Sequence, residues 1–187
     1  MPAGATAARW RADPLTWGTG AHRFEVFLEP TCPFSARAFG KLWAFLDHVG
    51  EDRVTLHVRL HSQPWHLFSG IVTRAIIGAS TTGRGREAAR TVMQAVYDHR
   101  EEFEFEDHRA GPNRDATPNQ ILARMEGYSG MPLAEAFALP GLERETIWHT
   151  RYARQNGIHV SPTFMIDGLV APGLGSGDKI EDWASKL

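Results

Sequence analysis

The stretch Phe24-Glu25-Val26-Phe27-Leu28-Glu29-Pro30-Thr31-Cys32-Pro33-Phe34-Ser35 limits what this chain can fold into more than any other part of it. Phe24 to Leu28 is short, aromatic and β-branched, which predicts a buried strand that ends at Pro30. From Pro33 the period changes. Phe39, Leu42, Trp43, Leu46 and Val49 recur every three or four residues, so a helix runs to about Val49 and stops at Gly50. Pro33 suits the first helical position and puts Cys32, the chain's single cysteine, at the cap. A helix start offers unpaired amides and a partial positive charge, and both favour a thiolate over a thiol. A lone cysteine is also a small hydrophobe fit for burial, but the strand-Cys-Pro-helix setting favours reactivity. Glu29 would oppose a negative sulfur if its side chain turned inward.

Val54, Leu56, Val58 and Leu60 then alternate with Thr55, His57, Arg59 and His61, the signature of a strand with one apolar face. Strand, helix and strand make a βαβ unit, and its right-handed crossover places the two strands parallel. His57, Arg59 and His61 share the other face, either beside Cys32 or, the favoured reading, partly solvated. From Trp65 to Asn156 the pattern is helical. Leu67, Ile71, Ala75, Ile76 and Ala79 form one segment, closed by Gly83-Arg84-Gly85. Ala88, Ala89, Val92, Met93 and Val96 form a second that runs into Phe103. Glu104 to Ala116 reads as a loop, and Thr117-Pro118-Asn119-Gln120 as a capping box opening a further helix. Leu133 to Leu139 makes a short turn, and Leu142, Thr146, His149, Tyr152 and Ala153 mark a last helix before Gly157.

Period two returns at Ile158 to Ile166, followed by the hairpin dipeptide Asp167-Gly168 and a returning Leu169-Val170-Ala171. Ile180, Trp183 and Leu187 give a final helix with Ser176 as its expected cap. The order is β-α-β, a helical block, then β-β-α. Residues 1–20 are expected to be an extension with a frayed end, 21–63 and 157–187 one α/β domain, and 64–156 a helical insertion.

With 187 residues, 42% hydrophobic and 22% charged, the composition is that of an ordinary globular protein. A formal net charge of −2 leaves no electrostatic footprint for nucleic acid or an anionic membrane surface. No stretch has the length of a membrane span, no apolar signal region precedes Gly20, and one cysteine excludes an internal disulfide. A reducing cytoplasm is the expected compartment. Whether the chain is a monomer or a homodimer is left open. Nine histidines include the cluster His57, His61 and His66, whose spacing fits no metal template, so no metal is expected. Gly173-Leu174-Gly175-Ser176-Gly177 lacks the Lys-Ser/Thr of a phosphate loop and reads as a flexible connection. Glu101, Glu102, Glu104, Glu106 and Asp107 form an acidic run expected to be solvated.

Cys32-Pro33-Phe34-Ser35 after the first strand, with Val160-Ser161-Pro162-Thr163 before the terminal hairpin, resembles the thioredoxin superfamily. The long helical insertion narrows the resemblance to its DsbA-like branch, which includes DsbA-type oxidoreductases, kappa-class glutathione transferases and 2-hydroxychromene-2-carboxylate isomerases. It spans Phe24 to Leu187. The resemblance implies a thioredoxin fold and Cys32 as nucleophile. It also implies a cis peptide bond at Pro162 and a substrate surface formed by Pro33, Phe34, Val160, Ser161, Pro162 and Thr163, where the Ser161 backbone pairs with an extended peptide or glutathione. Ser35 departs from the family's Cys-Pro-x-Cys pattern.

A dithiol enzyme resolves its mixed disulfide with a second cysteine, and this chain has none. Three readings follow. In the first, Cys32 exchanges with a glutathione mixed disulfide, external glutathione resolves the intermediate, and Ser35 donates a hydrogen bond to the sulfur. In the second, the protein is a glutathione-dependent transferase or isomerase, as the serine motifs of those relatives suggest. In the third, it is a redox-inactive module that binds a peptide or small metabolite in a groove lined by Trp65, Phe68 and Met131.

Overall fold

The computed structural model describes residues 9–104 and 113–187. Its elements are β1 (Thr16–Trp17), β2 (His22–Leu28), α1 (Pro33–Val49), β3 (Val54–Leu60), α2 (Ser69–Ala79), α3 (Arg86–Asp98), α4 (Pro118–Ser129), α5 (Ala134–Phe137), α6 (Leu142–Gln155), β4 (Thr163–Ile166), β5 (Leu169–Val170) and α7 (Ile180–Ala184). A single 3-10 turn, Arg100–Glu102, follows α3. Most of the loop expected from Glu104 to Ala116, with Glu106 and Asp107 of the acidic run, lies outside the described residues.

The strands form one sheet in the order β1-β3-β2-β4-β5. β2 and β3 are parallel in the register Val26↔Val58, as the βαβ reading requires. β4 runs antiparallel to β2 with Phe27 opposite Thr163. The Asp167-Gly168 turn has φ of 48° and 86°, the two left-handed positions of a tight hairpin, and returns the chain into β5. This is the α/β thioredoxin fold with a helical insertion, α2 to α6 falling between β3 and β4.

The core follows the periodicities. Phe39, Leu42, Phe45 and Leu46 of α1 share one core with Phe24, Val26 and Leu28 of β2 and with Val54, Leu56, Val58 and Leu60 of β3. Trp183 of α7 is fully buried against Phe24, Phe45 and Phe164. The capping box is present, with the Gln120 amide donating to Thr117 Oγ1 (3.3 Å) and the Thr117 amide to Gln120 Oε1 (2.7 Å).

Four expectations give way. The N-terminal segment is not frayed where it is described: Leu15 and Trp17 are buried, and β1 adds to the edge of β3. Gly18 and Gly20 permit this, because a Cβ on Gly20 would sit 1.8 Å from the Arg53 carbonyl carbon. The second face of β3 is not solvated. Arg59 is 2% exposed and pairs with Glu25 Oε2 at 2.7 Å, and Tyr152 of α6 donates to Glu25 Oε1 at 2.9 Å. β4 begins only at Thr163, since residues 158–162 form an irregular loop. The cap of α7 is Lys179, whose amide donates to Asp182 Oδ2 at 3.0 Å, while Ser176 lies further back with its carbonyl accepting Lys41 Nζ at 2.6 Å.

Candidate functional site

Cys32 occupies the N-cap of α1 with φ −78° and ψ 131°, and Pro33 follows at the helix start. The antiparallel register of β2 and β4 places the residues just past β2 beside those just before β4, so Cys32 and the 158–162 loop face each other. Cys32 Sγ lies 3.8 Å from the Ser161 carbonyl oxygen, and the Ser161–Pro162 bond is cis. Cys32 is 6% exposed, while Phe34 (57%) in the same motif and Val160 (63%) in the facing loop are exposed. Pro33 is exposed, while Ser161, Pro162 and Thr163 are half-buried, Thr163 Oγ1 donating to the Val160 carbonyl at 2.8 Å.

Ser35, one turn into α1, is fully buried and accepts the Glu29 amide at 3.0 Å. No hydrogen bond joins Ser35 to Cys32 among the described residues, so the expected donation to the sulfur is absent. β2 ends at Leu28, so the Glu29 amide lies beyond the strand's own pairing, and the Ser35 hydroxyl meets it.

Glu29 itself turns inward and is fully buried. Its Oε2 accepts the Thr31 amide (2.8 Å) and the Thr31 hydroxyl (2.9 Å), and lies 3.5 Å from His66 Nδ1. Burial pushes the Glu29 carboxyl above the usual carboxylate range, against the neighbouring hydroxyls and amides that favour its charge. The Tyr97 hydroxyl donates to the Glu29 carbonyl at 3.3 Å. Burial, with Glu29 and Cys32 nearby, raises that phenol well above its ordinary value, so it stays a proton donor. A buried, protonatable carboxyl and a protonated phenol therefore border the thiol.

On the other side of the loop, Gln63 Nε2 donates to the His159 carbonyl at 3.0 Å and ties the end of β3 to the approach of Ser161. His61 is fully buried, its pKa lowered to about 4 by burial and by the nearby charges of Arg154 and His159. The three clustered histidines part company: His57 meets Thr16 Oγ1 at 3.0 Å, His61 enters the interior, and His66 meets Thr31 Oγ1 at 2.9 Å. Of the aromatic and Met residues expected to line a groove, Phe68 (3% exposed) and Met131 (9%) belong to the core, and only Trp65 (49%) faces solvent. Sequence patterning missed Thr31, Gln63 and Tyr97. Tyr97 follows Met93 at helical spacing, which signals a packed face and nothing more.

No family model matches the chain, and no curated protein matches it. Among solved structures, the chain is 63% identical to a candidate protein-disulfide isomerase from Pseudomonas syringae, covering 93% of this chain and 97% of that one with a TM-score of 0.92. Two more distant structures share the fold. The protein-disulfide isomerase from Novosphingobium aromaticivorans is 17% identical with a TM-score of 0.67, over 94% of this chain and 98% of that one. DsbA2 from Pseudomonas aeruginosa is 19% identical with a TM-score of 0.62, over 96% and 98%. At the identity and coverage of the Pseudomonas syringae relative, the chain belongs to that protein's family, and it shares the thioredoxin fold of the DsbA-like structures.

Proposed function

We propose that the protein is a single-thiol oxidoreductase that exchanges with glutathione mixed disulfides. The observation that carries this reading is the placement of Cys32 Sγ at a helix start, 3.8 Å from the Ser161 carbonyl, with a serine one turn on where a resolving thiol would stand. In the forward step the Cys32 thiolate attacks the glutathione sulfur of a mixed disulfide, forms a Cys32–glutathione disulfide and expels the substrate thiolate. A second glutathione thiolate then attacks the glutathione sulfur of that disulfide, releases oxidised glutathione and restores the Cys32 thiolate. Sulfur, charge and electrons balance without a second protein thiol.

Glu29 and Tyr97 supply the proton inventory beside the sulfur. A charged Glu29 opposes a second negative charge next to it, so a protonated Glu29 accompanies the thiolate more readily than a carboxylate. The exposed Phe34 and Val160, with the Ser161 backbone between β2 and the start of β4, form the surface on which glutathione or an extended peptide docks. Reliance on glutathione fits a reducing compartment, and the cytoplasm is the proposed setting. Transfer or isomerisation loses ground because Ser35 is committed to the Glu29 amide.

The test is intact mass spectrometry after incubation with oxidised glutathione. Gain of one glutathionyl group, absent in Cys32→Ser and reversed by reduced glutathione, supports the reading. A chain that takes up no glutathione while its thiol alkylates overturns it, and retained binding of glutathione without exchange points to a binding module.

A further inference from the structure

A cleft of about 630 Å³ opens between α2 and α6, and Cys32 is not among the residues that line it. Its floor is Thr73 of α2, which is 2% exposed and whose Oγ1 has no hydrogen-bond partner among the described residues. Buried hydroxyls are paired in the great majority of cases, so an unpaired one lining a cleft marks a position where an acceptor or donor from outside fits. Its α6 wall follows helical spacing: Ile147, Thr150, Arg151 and Arg154 share one face, so an apolar side chain, a hydroxyl and two guanidinium groups converge on the same space. Gly70, in the first turn of α2, completes the opposite wall.

The charges are one-sided. No carboxylate lines the cleft, and among the described residues neither Arg151 nor Arg154 forms an ion pair, the Arg154 guanidinium meeting the imidazole of His159 at 2.5 Å. By contrast, Arg11 and Arg59 are committed to Glu145 and Glu25, and Arg74 lies 3.7 Å from Glu143. Guanidinium groups favour planar carboxylates, which they bind through two parallel hydrogen bonds. The volume lies in the range of small-molecule sites. Ile147 is 46% exposed at the wall, ready to cover an apolar body.

We propose that this cleft binds a small amphipathic organic carboxylate, its acid group held by Arg151 and Arg154 and its apolar part lying along Ile147 toward Thr73. Cys32 does not line the cleft. The two are connected through the 158–162 loop, since Arg154 holds the His159 ring and Cys32 Sγ lies 3.8 Å from the Ser161 carbonyl.

Isothermal titration with phenylbutyrate tests this, with phenylbutanol as the neutral counterpart of the same shape. The expected result is saturable binding of phenylbutyrate at one site, with phenylbutanol about tenfold weaker or worse. Arg151→Glu combined with Arg154→Glu weakens phenylbutyrate by about tenfold or more while the melting temperature holds. Gly70→Leu fills the cleft, because nothing lies within 4 Å of a Cβ built there, and abolishes binding. Absence of saturable phenylbutyrate binding overturns the proposal, as do equal affinity for phenylbutanol and undiminished binding in the folded double variant. Cys32→Ser keeps phenylbutyrate binding, so a failure of the thiol chemistry and a failure of the cleft are read separately.

Discussion

The hydroxyl of Ser35 accepts the backbone amide of Glu29 at 3.0 Å, so the last residue of the Cys32-Pro33-Phe34-Ser35 motif serves to close the end of β2. Both residues are fully buried, and the bond spans the Cys32 turn from strand end to helix. Neither of its partners is free to take another role without leaving the other unpaired.

Ser35→Ala removes the acceptor and strands a buried amide, which costs about 1–3 kcal/mol. For a chain of this size that is a fall in melting temperature of about 2–4 °C per kcal/mol. Chemical denaturation of the two proteins measures it. Cys32 alkylation at fixed pH should change little, since no Ser35–Cys32 hydrogen bond is lost; a large drop in thiol reactivity with unchanged stability would contradict the geometry.

Glu29→Gln keeps the oxygen that meets Thr31 and removes the buried charge. The folded-state pKa of Glu29 is raised, so the native state holds its proton more tightly than the unfolded chain, and stability is lost as pH rises from the ordinary carboxylate range through the folded value. The variant should therefore gain on the parent as pH climbs through that window and match it in acid. Urea melts at several pH values check this, and a pH-independent difference speaks against a titrating Glu29. In parallel, Cys32 of the variant should alkylate faster at neutral pH, because the opposing carboxylate is gone.

His149 works in the opposite direction. It is fully buried, its Nδ1 accepts the Leu60 amide at 2.9 Å, and burial with the nearby Arg59 lowers its pKa to about 3. The stability it contributes while neutral is complete above its ordinary pKa and drains away as pH falls from there toward the folded value, at about 1.4 kcal/mol per unit. His149→Asn retains an acceptor and cannot charge. It should flatten the acid limb of the stability profile while costing about 1–2 kcal/mol at neutral pH for the lost ring volume. An unchanged acid limb would assign acid sensitivity elsewhere, with His61 the next group to test.

Arg59→Met leaves the buried Glu25 with only Arg23 at 3.2 Å and the Tyr152 hydroxyl. Breaking a buried pair from one side costs about 3–5 kcal/mol, and the remaining partners put this case at the lower end. Adding Glu25→Leu to Arg59→Met should recover most of the loss, because no buried charge is left unpaired; Asp13, the other carboxylate that Arg59 meets, is exposed to water. A double variant no more stable than the single one would show that Arg59 acts through packing on Tyr152, whose ring lies 5.0 Å away.

The local features of this protein are legible in residue order because each depends on neighbours a few positions away. Phe24 to Leu28, the stripe of α1, the capping box at Thr117 and the Asp167-Gly168 turn are short-range matters of side-chain periodicity and backbone preference. Cys32 at a helix start belongs with them. The tertiary structure decided the rest. Whether His57, Arg59 and His61 meet water depends on α6 and on residues 11–17 folding over that face, contacts that join positions far apart in the chain. An alternating strand reads the same whether its polar side is solvated or buried in an ion pair. Likewise, the pairing of β2 with β4 brings the Ser161 carbonyl to Cys32, and the end of β2 turns Ser35 away from the sulfur, because an amide beyond the strand's pairing claimed its hydroxyl.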